Sequence, residues 1–368
     1  MHIRSLTLTV AASVSAVFAE PLRSVLMFRH CPRSCSNSLT SGAPGFNNLN
    51  NYSAQDFPPW PVADMECLPA GIDLVESAGA QLGSTFPTPL RMQVDSNAKR
   101  DNDTAAALLR GMGLPEADFE AAPCLFNPAN CGFCDGIDSE TKKAAIDARY
   151  AAFPPPQGLD SLLDDIQLVL GAGEAPALED IPDSVSSSGT FTGGSSAASA
   201  ITEVFLEQMA GNLTLAWGEM SATQVYAFEE AHIYYRGVMD RALPVVAYYH
   251  TYVTNEIMSF LSSGSGTLVL VGHDTELDAL AEIFGLSWST SPFPPNATTP
   301  GSALRFDVQE DQTSIAASIH YQAFDGTTAV QTVPVDFTWS ASSATPSLAE
   351  IRTWLEPRLD STCSPKSV

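Results

Sequence analysis

Two short apolar runs punctuate the chain, at residues 24–28 and 266–271. A strand with one wet face alternates apolar and polar residues. A continuous apolar run of this length predicts a strand buried on both faces, the pattern of a parallel sheet. Helical patterns flank both runs. Residues 104–111 are rich in Ala and Leu, and residues 275–284 carry apolar side chains at helical spacing up to Gly285, a C-cap signal. Residues 222–259 form a long helical pattern interrupted at Pro244. Further on, residues 303–308 and 314–320 alternate, which predicts additional strands within about 301–340. The Ser/Gly-rich stretch 184–197 reads as a loop or hinge. Residues 118–157, with three cysteines and three consecutive prolines at 154–156, read as an irregular, disulfide-stapled elaboration.

The residues that close the two buried runs are chemically distinctive. The first run ends in Arg29-His30-Cys31-Pro32-Arg33, the second in Gly272-His273-Asp274-Thr275. In open α/β sheets the ligand crevice lies at the carboxyl ends of the strands. Polar residues that abruptly close a buried strand are therefore placed where ligands bind. His232, His250 and His320 have no comparable placement and read as structural.

Composition narrows the partners. Of 368 residues 45% are hydrophobic, enough for a large core, whereas 16% are charged. Seventeen Lys and Arg face 42 Asp and Glu, a formal charge of −25. That balance excludes general nucleic-acid binding, which needs a basic surface, and disfavours anionic membranes. It suits work at low pH, where carboxylate protonation relieves self-repulsion. Residues 1–19 combine an early Arg4, an uncharged stretch and small residues at Val17 and Ala19, the pattern of a secretory signal peptide cut before Glu20. No stable membrane insertion is expected, and the expected location is secreted or a vesicular, lysosome-like lumen. Seven cysteines then predict disulfides with one thiol left over. Cys31 and Cys35 are open to pairing with each other or elsewhere. A zinc site on Cys124, Cys131 and Cys134 is the weaker reading, because no fourth ligand lies nearby in sequence. Sequons at Asn51, Asn102, Asn212 and Asn296 fit a glycoprotein.

The ordered motifs resemble those of the histidine acid phosphatases, the acid-phosphatase and phytase branch of the histidine phosphatase superfamily. Arg29, His30 and Arg33 match that family's opening motif, and His273-Asp274 match its later His-Asp pair. Between them, Arg100 followed by Thr104-Ala105 resembles the family's third-arginine segment, with Arg91 as an alternative to Arg100. The Phe57–Trp60 stretch and the segment from Pro294 to Val308 resemble further landmarks. The chain departs from the family at Cys31, where glycine is usual, and at Ser34-Cys35. A glycine there could supply an unusual φ or close backbone approach to phosphate, so Cys31 bears on the loop geometry.

The resemblance implies a phosphoglycerate-mutase-like α/β fold, a mostly parallel sheet flanked by helices with an inserted, mainly helical cap. The expected division is catalytic domain over 20–105 and 225–368, cap over 106–224. It implies hydrolysis of small-molecule phosphate monoesters at acidic pH, without metal or other cofactor. His30 would be the nucleophile that forms a phosphohistidine, and Asp274 the general acid. Arg29, Arg33, Arg100 and His273 would bind the phosphoryl group. A cysteine phosphatase is excluded, since neither Cys31 nor Cys35 has an arginine six residues on. A phosphate mutase is disfavoured by the signal peptide and by the His-Asp pair. The remaining alternatives are a phytase-type inositol phosphate phosphatase, disfavoured because few basic residues remain for a wide cationic pocket, and a catalytically silent phosphoester-binding relative.

Overall fold

The computed structural model describes residues 21–36, 48–134, 137–340 and 345–363. The expected signal peptide, residues 1–19, lies outside the described residues. An eight-stranded sheet in the order β3-β2-β6-β1-β8-β9-β10-β7 forms the centre. Its members are β1 (Arg23–Arg29), β2 (Leu90–Val94), β3 (Glu120–Ala121), β6 (Gly266–Gly272), β7 (Leu286–Ser287), β8 (Ala303–Val308), β9 (Ile315–Tyr321) and β10 (Gln331–Phe337). The sheet is mixed. β3, β2, β6 and β1 run parallel, and β8, β9, β10 and β7 continue antiparallel. The two continuous apolar runs are the adjacent central strands β1 and β6, and the alternating stretches are β8 and β9.

Both faces of those central strands are covered, as their unbroken hydrophobicity requires. Val25, Met27, Leu268 and Leu270 face one core, together with Val253 and Ile257 of α8 (Leu243–Ser263) and Leu277 and Leu280 of α9 (Asp274–Phe284). Leu26, Phe28, Val269 and Val271 face the other, with Val75 and Ala78 of α1 (Pro69–Leu82) and Leu108 and Leu109 of α2 (Lys99–Gly111). The two helices α1 and α2 touch backbone to backbone. A Cβ on Gly79 would strike the carbonyl oxygen of Leu108, and one on Gly111 that of Glu76.

Four further helices form a third core. α4 (Ser139–Ala152), α5 (Leu159–Leu170), α6 (Gly194–Ala210) and α7 (Ala222–Met239) gather around Ile146, Leu163, Ile166, Val204, Phe205, Val225 and Phe228. Stretch 118–157 is thus more ordered than its composition suggested: it holds β3, the one-turn α3 (Pro123–Phe126) and the fourteen-residue α4. Residues 106–121, placed with the cap from sequence, complete α2 and add edge strand β3 to the sheet. The stretch 184–197 is a small hairpin, β4 (Ser184–Val185) with β5 (Phe191–Thr192), running into α6. Pro244 separates α7 from α8 by standing in the first turn of α8, where its missing N–H costs no hydrogen bond. Gly285 caps α9 with φ +65°.

Three disulfides join Cys31–Cys67, Cys124–Cys131 and Cys134–Cys363, which fits an oxidising compartment. They remove the zinc reading of Cys124, Cys131 and Cys134, since a thiol in a disulfide cannot ligate. Cys35 is the leftover thiol, and it is buried. Among the described residues no helix is long and apolar enough to cross a membrane.

Candidate active site

Strand register alone assembles the centre of the site. Arg29 pairs with Gly272 at the ends of parallel β1 and β6, so the next residues, His30 and His273, emerge side by side. The His30 N–H donates to the Gly272 carbonyl at 2.9 Å, and the two imidazole centroids are 5.5 Å apart. On the other flank of β6, β2 ends one residue before Asp95, whose N–H donates to the Val271 carbonyl at 3.0 Å. Three neighbouring parallel strands therefore close with Asp95, His273 and His30 on one edge.

His30 is 2% exposed, and its Nδ1 lies 2.8 Å from the Cys31 carbonyl. A carbonyl can only accept, so Nδ1 carries the proton and Nε2 keeps its lone pair. Burial, then the charges of Arg33, Arg29, His273 and Arg100, hold its pKa well below the usual imidazole value. The ring stays neutral, as a nucleophile must.

The cationic groups come from separate elements. Arg29 ends β1, fully buried; its Nη1 donates to the Thr298 carbonyl at 2.5 Å and its Nη2 lies 3.0 Å from Asp274 Oδ2. The segment before β8 thus holds the clamp, for Arg29 N–H also donates to the Ser302 carbonyl and Gly301 N–H to the His30 carbonyl. Arg33 donates to Glu203 Oε1 at 2.8 Å. Arg100, in the first turn of α2, places Nη2 3.2 Å from His273 Nδ1. Arg91, the alternative, is half exposed on β2 and paired with Glu120 and Glu256. The Nε atoms of Arg29, Arg33 and Arg100 are all buried without a hydrogen-bond partner.

Asp274 opens α9, where the helix dipole favours a carboxylate. Burial alone would raise its pKa, but Arg236 at 3.3 Å and Arg29 at 3.0 Å reverse this and hold it well below the usual carboxylate range. For His273 burial opposes a charge; Asp95, Glu276 and Asp101 outweigh it and raise the pKa.

Cys31 does not distort the loop. It is not among the described residues with positive φ, so this backbone does not demand glycine. Its N–H donates to Thr104 Oγ1 at 2.8 Å, and its disulfide ties the loop to Cys67, just before α1.

Sequence reasoning missed an acidic and basic surround. Glu203 and Glu207 on α6 and Glu229 on α7 reach the arginines. Burial pushes Glu207 up to about 7 and Glu229 up to about 8. Glu203 is held low by Arg33, His232 and Arg29 despite its burial. Arg236 and Arg241 bracket Asp278, both at 2.6 Å. His232, read as structural, belongs to this surround: its Nδ1 meets Ser199 Oγ at 2.9 Å, and its pKa is lowered to about 4 by burial. The available signal was two acids four residues apart in the otherwise small and apolar segment 194–210. Such a spacing puts both on one helix face.

No family model and no curated protein matches this sequence. Solved structures do. Hafnia alvei phytase superposes with a TM-score of 0.78 at 19% identity, covering 94% of this chain and 98% of that one. The phytase from Citrobacter braakii gives 0.79 at 21% identity, covering 95% and 100%, and that of Klebsiella sp. ASR1 gives 0.79 at 16%, covering 95% and 98%. Over nearly its whole length, therefore, this chain has the fold of these phytases.

Proposed function

We propose that this protein is an acid phosphatase that hydrolyses small phosphate monoesters through a phosphohistidine on His30, in a secreted or vesicular compartment. The observation that carries this is a neutral, buried imidazole, Nδ1 pinned to a carbonyl, facing Arg29, Arg33, Arg100 and His273. His30 Nε2 attacks phosphorus and the bond to the leaving oxygen breaks. The guanidiniums take the equatorial oxygens with charge-assisted hydrogen bonds, their buried unpartnered N–H groups included. Water then attacks the phosphohistidine and releases phosphate. These side chains supply the charge stabilisation themselves, so turnover is expected to persist in excess chelator.

Asp274 is the general acid, and its low pKa in the resting site makes its proton the key question. The bound phosphoryl group competes for Arg29, which loosens the pair that holds Asp274 ionised. A monoester monoanion, whose second pKa is about 6, brings a proton of its own. Both features place activity on the acid side. So do Glu207 and Glu229, which are neutral below about 7 and 8 and become negative beside the arginines above those values.

The neighbouring structures are phytases, one of them solved with myo-inositol hexakis sulphate. Here Glu203, held ionised, already pairs with Arg33 in the clamp, and few basic residues remain outside it, which favours a substrate with one phosphoryl group over a polyanion. The cap expected over 106–224 is redrawn as the helices over residues 139–239, because α7, placed with the catalytic domain from residue 225, packs in one core with α4, α5 and α6; this cap shapes the entrance. The test is release of phosphate from an aryl monoester across about pH 3 to 8, which brackets carboxylate and imidazole titration, with chelator and a His30→Ala control. Acid-peaked activity absent from the variant is expected. Activity that survives in His30→Ala overturns the reading.

A further inference from the structure

His273 meets Arg100 through a lone pair, not through a proton. Its Nδ1 lies 3.2 Å from Arg100 Nη2. A guanidinium only donates, so in this arrangement Nδ1 is bare and Nε2 carries the ring's proton. To bind a phosphoryl oxygen beside Arg100, Nδ1 has to donate instead. The ring can then be only an imidazolium, protonated on both nitrogens, and Arg100 has to leave it. The His273 side chain is 21% exposed, so solvent supplies the second proton.

The counter-ion for that charge stands on the other side of the ring. Asp95 follows β2 directly and is fixed by its own turn: its carbonyl accepts from the Ala98 N–H and its Oδ1 from the Asn97 N–H. Its Oδ2 is left to face His273 Nε2 at 3.5 Å. That is long for a neutral N–H···O hydrogen bond and within reach of an ion pair. Asp101 Oδ2, from α2, stands at the same 3.5 Å. It is fully buried and pushed by burial up to about 8, so in the acidic range it is a neutral carboxyl. From α9, Glu276 accepts the His273 backbone N–H at 2.7 Å, while Asp274 is paired with Arg29 and Arg236. His30, 5.5 Å away after β1, is neutral, and Arg100 is the opposing cation. Burial opposes a charged ring, and Asp95 acts most strongly against that opposition.

On the reading of this site as a phosphoryl site, we propose that Asp95 is a positioning residue for His273. It accepts from Nε2 and so turns Nδ1 toward the clamp. It is also the counter-ion for the proton that Nδ1 takes from solvent when a phosphoryl group draws Arg100 away. Arg100 and His273 then donate to the phosphoryl group together, where before one donated to the other. By linkage, an oxyanion in the clamp has to raise the pH at which His273 titrates.

The experiment is histidine NMR on the isotope-labelled full chain, with sulfate as an oxyanion that is not turned over. The His273 signals are identified by their loss in His273→Gln. Without sulfate, above the titration midpoint, Nε2 should be protonated and Nδ1 bare. Sulfate should raise the midpoint by about one pH unit or more, as a nearby opposite charge does, and protonate both nitrogens. Asp95→Asn keeps an acceptor for Nε2 but no charge, so its midpoint should fall by about one to three pH units. Its KM for an aryl phosphate should rise more than its kcat falls. Asp101→Asn, neutral like the carboxyl it replaces, should titrate like the wild type. A bare Nε2 without sulfate, a midpoint unmoved by saturating sulfate, or an unchanged midpoint in Asp95→Asn overturns the inference. Turnover that His30→Ala abolishes would stand even then, so the two readings fail separately.

Discussion

At the scale of single residues, the decisive contrast is between His30 and Asp274. Each is buried, which favours a neutral imidazole but opposes an ionised carboxylate, and the arginines push both toward the proton-free form. They disfavour a proton on the imidazole and favour a bare carboxylate. An enzyme arranged this way has its nucleophile ready and its acid unloaded until substrate arrives. Asp274→Asn should therefore cost about 10²–10⁴-fold in kcat on alkyl phosphates, the range of general acid catalysis, and much less on aryl phosphates, whose leaving groups need little protonation. Equal losses on both classes would remove Asp274 from the acid role. Glu207 offers a complementary test. Its pKa of about 7 puts its ionisation on the alkaline limb of activity. Glu207→Gln still accepts the Arg33 N–H, 2.9 Å away in the wild type, but cannot ionise. Its pH–rate profile should extend to higher pH, and an unmoved alkaline limb would show that this carboxyl does not govern binding.

At the scale of elements, β1 and β6 were legible because burial on both faces writes itself as unbroken hydrophobicity. Their register then placed His30 beside His273 without further information. Arg100 was legible only through its motif, because α2 begins before its Ala/Leu-rich part. Glu203, Glu207, Glu229 and Arg236 were harder to place: the spacing of the first two marks a shared helix face, but all four reach the site from α6 and α7 across a tertiary contact, which local pattern does not record. The loop at 30–35 depends on an element too. Cys31–Cys67 closes a span of 36 residues and pins the loop to the start of α1. Replacing both cysteines with Ser should cost about 4 kcal/mol of stability on the loop-entropy scale, measurable as a lower urea midpoint. A midpoint unchanged in the double variant would mean that α1 packing alone holds the loop. The Cys31 position, unusual by resemblance, is thus explained by what it bonds to.

At the scale of the whole molecule, buried titratable groups set the pH range of the fold. Burial raises Glu207, Glu229 and Asp240 to about 7, 8 and 6, against about 4 in an unfolded chain. Between those values the folded protein holds more protons than the unfolded one, so stability falls as pH rises. The histidines act with the opposite sign. Burial lowers His232 to about 4 and His320 to about 3, against about 6.5 unfolded. There the unfolded chain holds more protons, and stability falls as pH drops below about 6.5. The two sets oppose one another between about pH 4.5 and 6.5, so urea midpoints should be broadly level there and lower at about pH 3 and 8. The net charge of −25 adds repulsion on the alkaline side. A midpoint that climbs steadily to pH 8 would contradict this assignment. Fold stability thereby favours the same acidic window as the proposed phosphoryl chemistry.

If His30 bonds covalently to phosphorus, rapid acid and alkaline quenching of the protein mixed with labelled aryl phosphate captures the adduct. The protein should carry label that survives alkali, is lost in acid as a phosphoramidate should be, maps to His30 and is absent from His30→Ala. Label that survives acid and is lost in alkali, or label undiminished in His30→Ala, would contradict it.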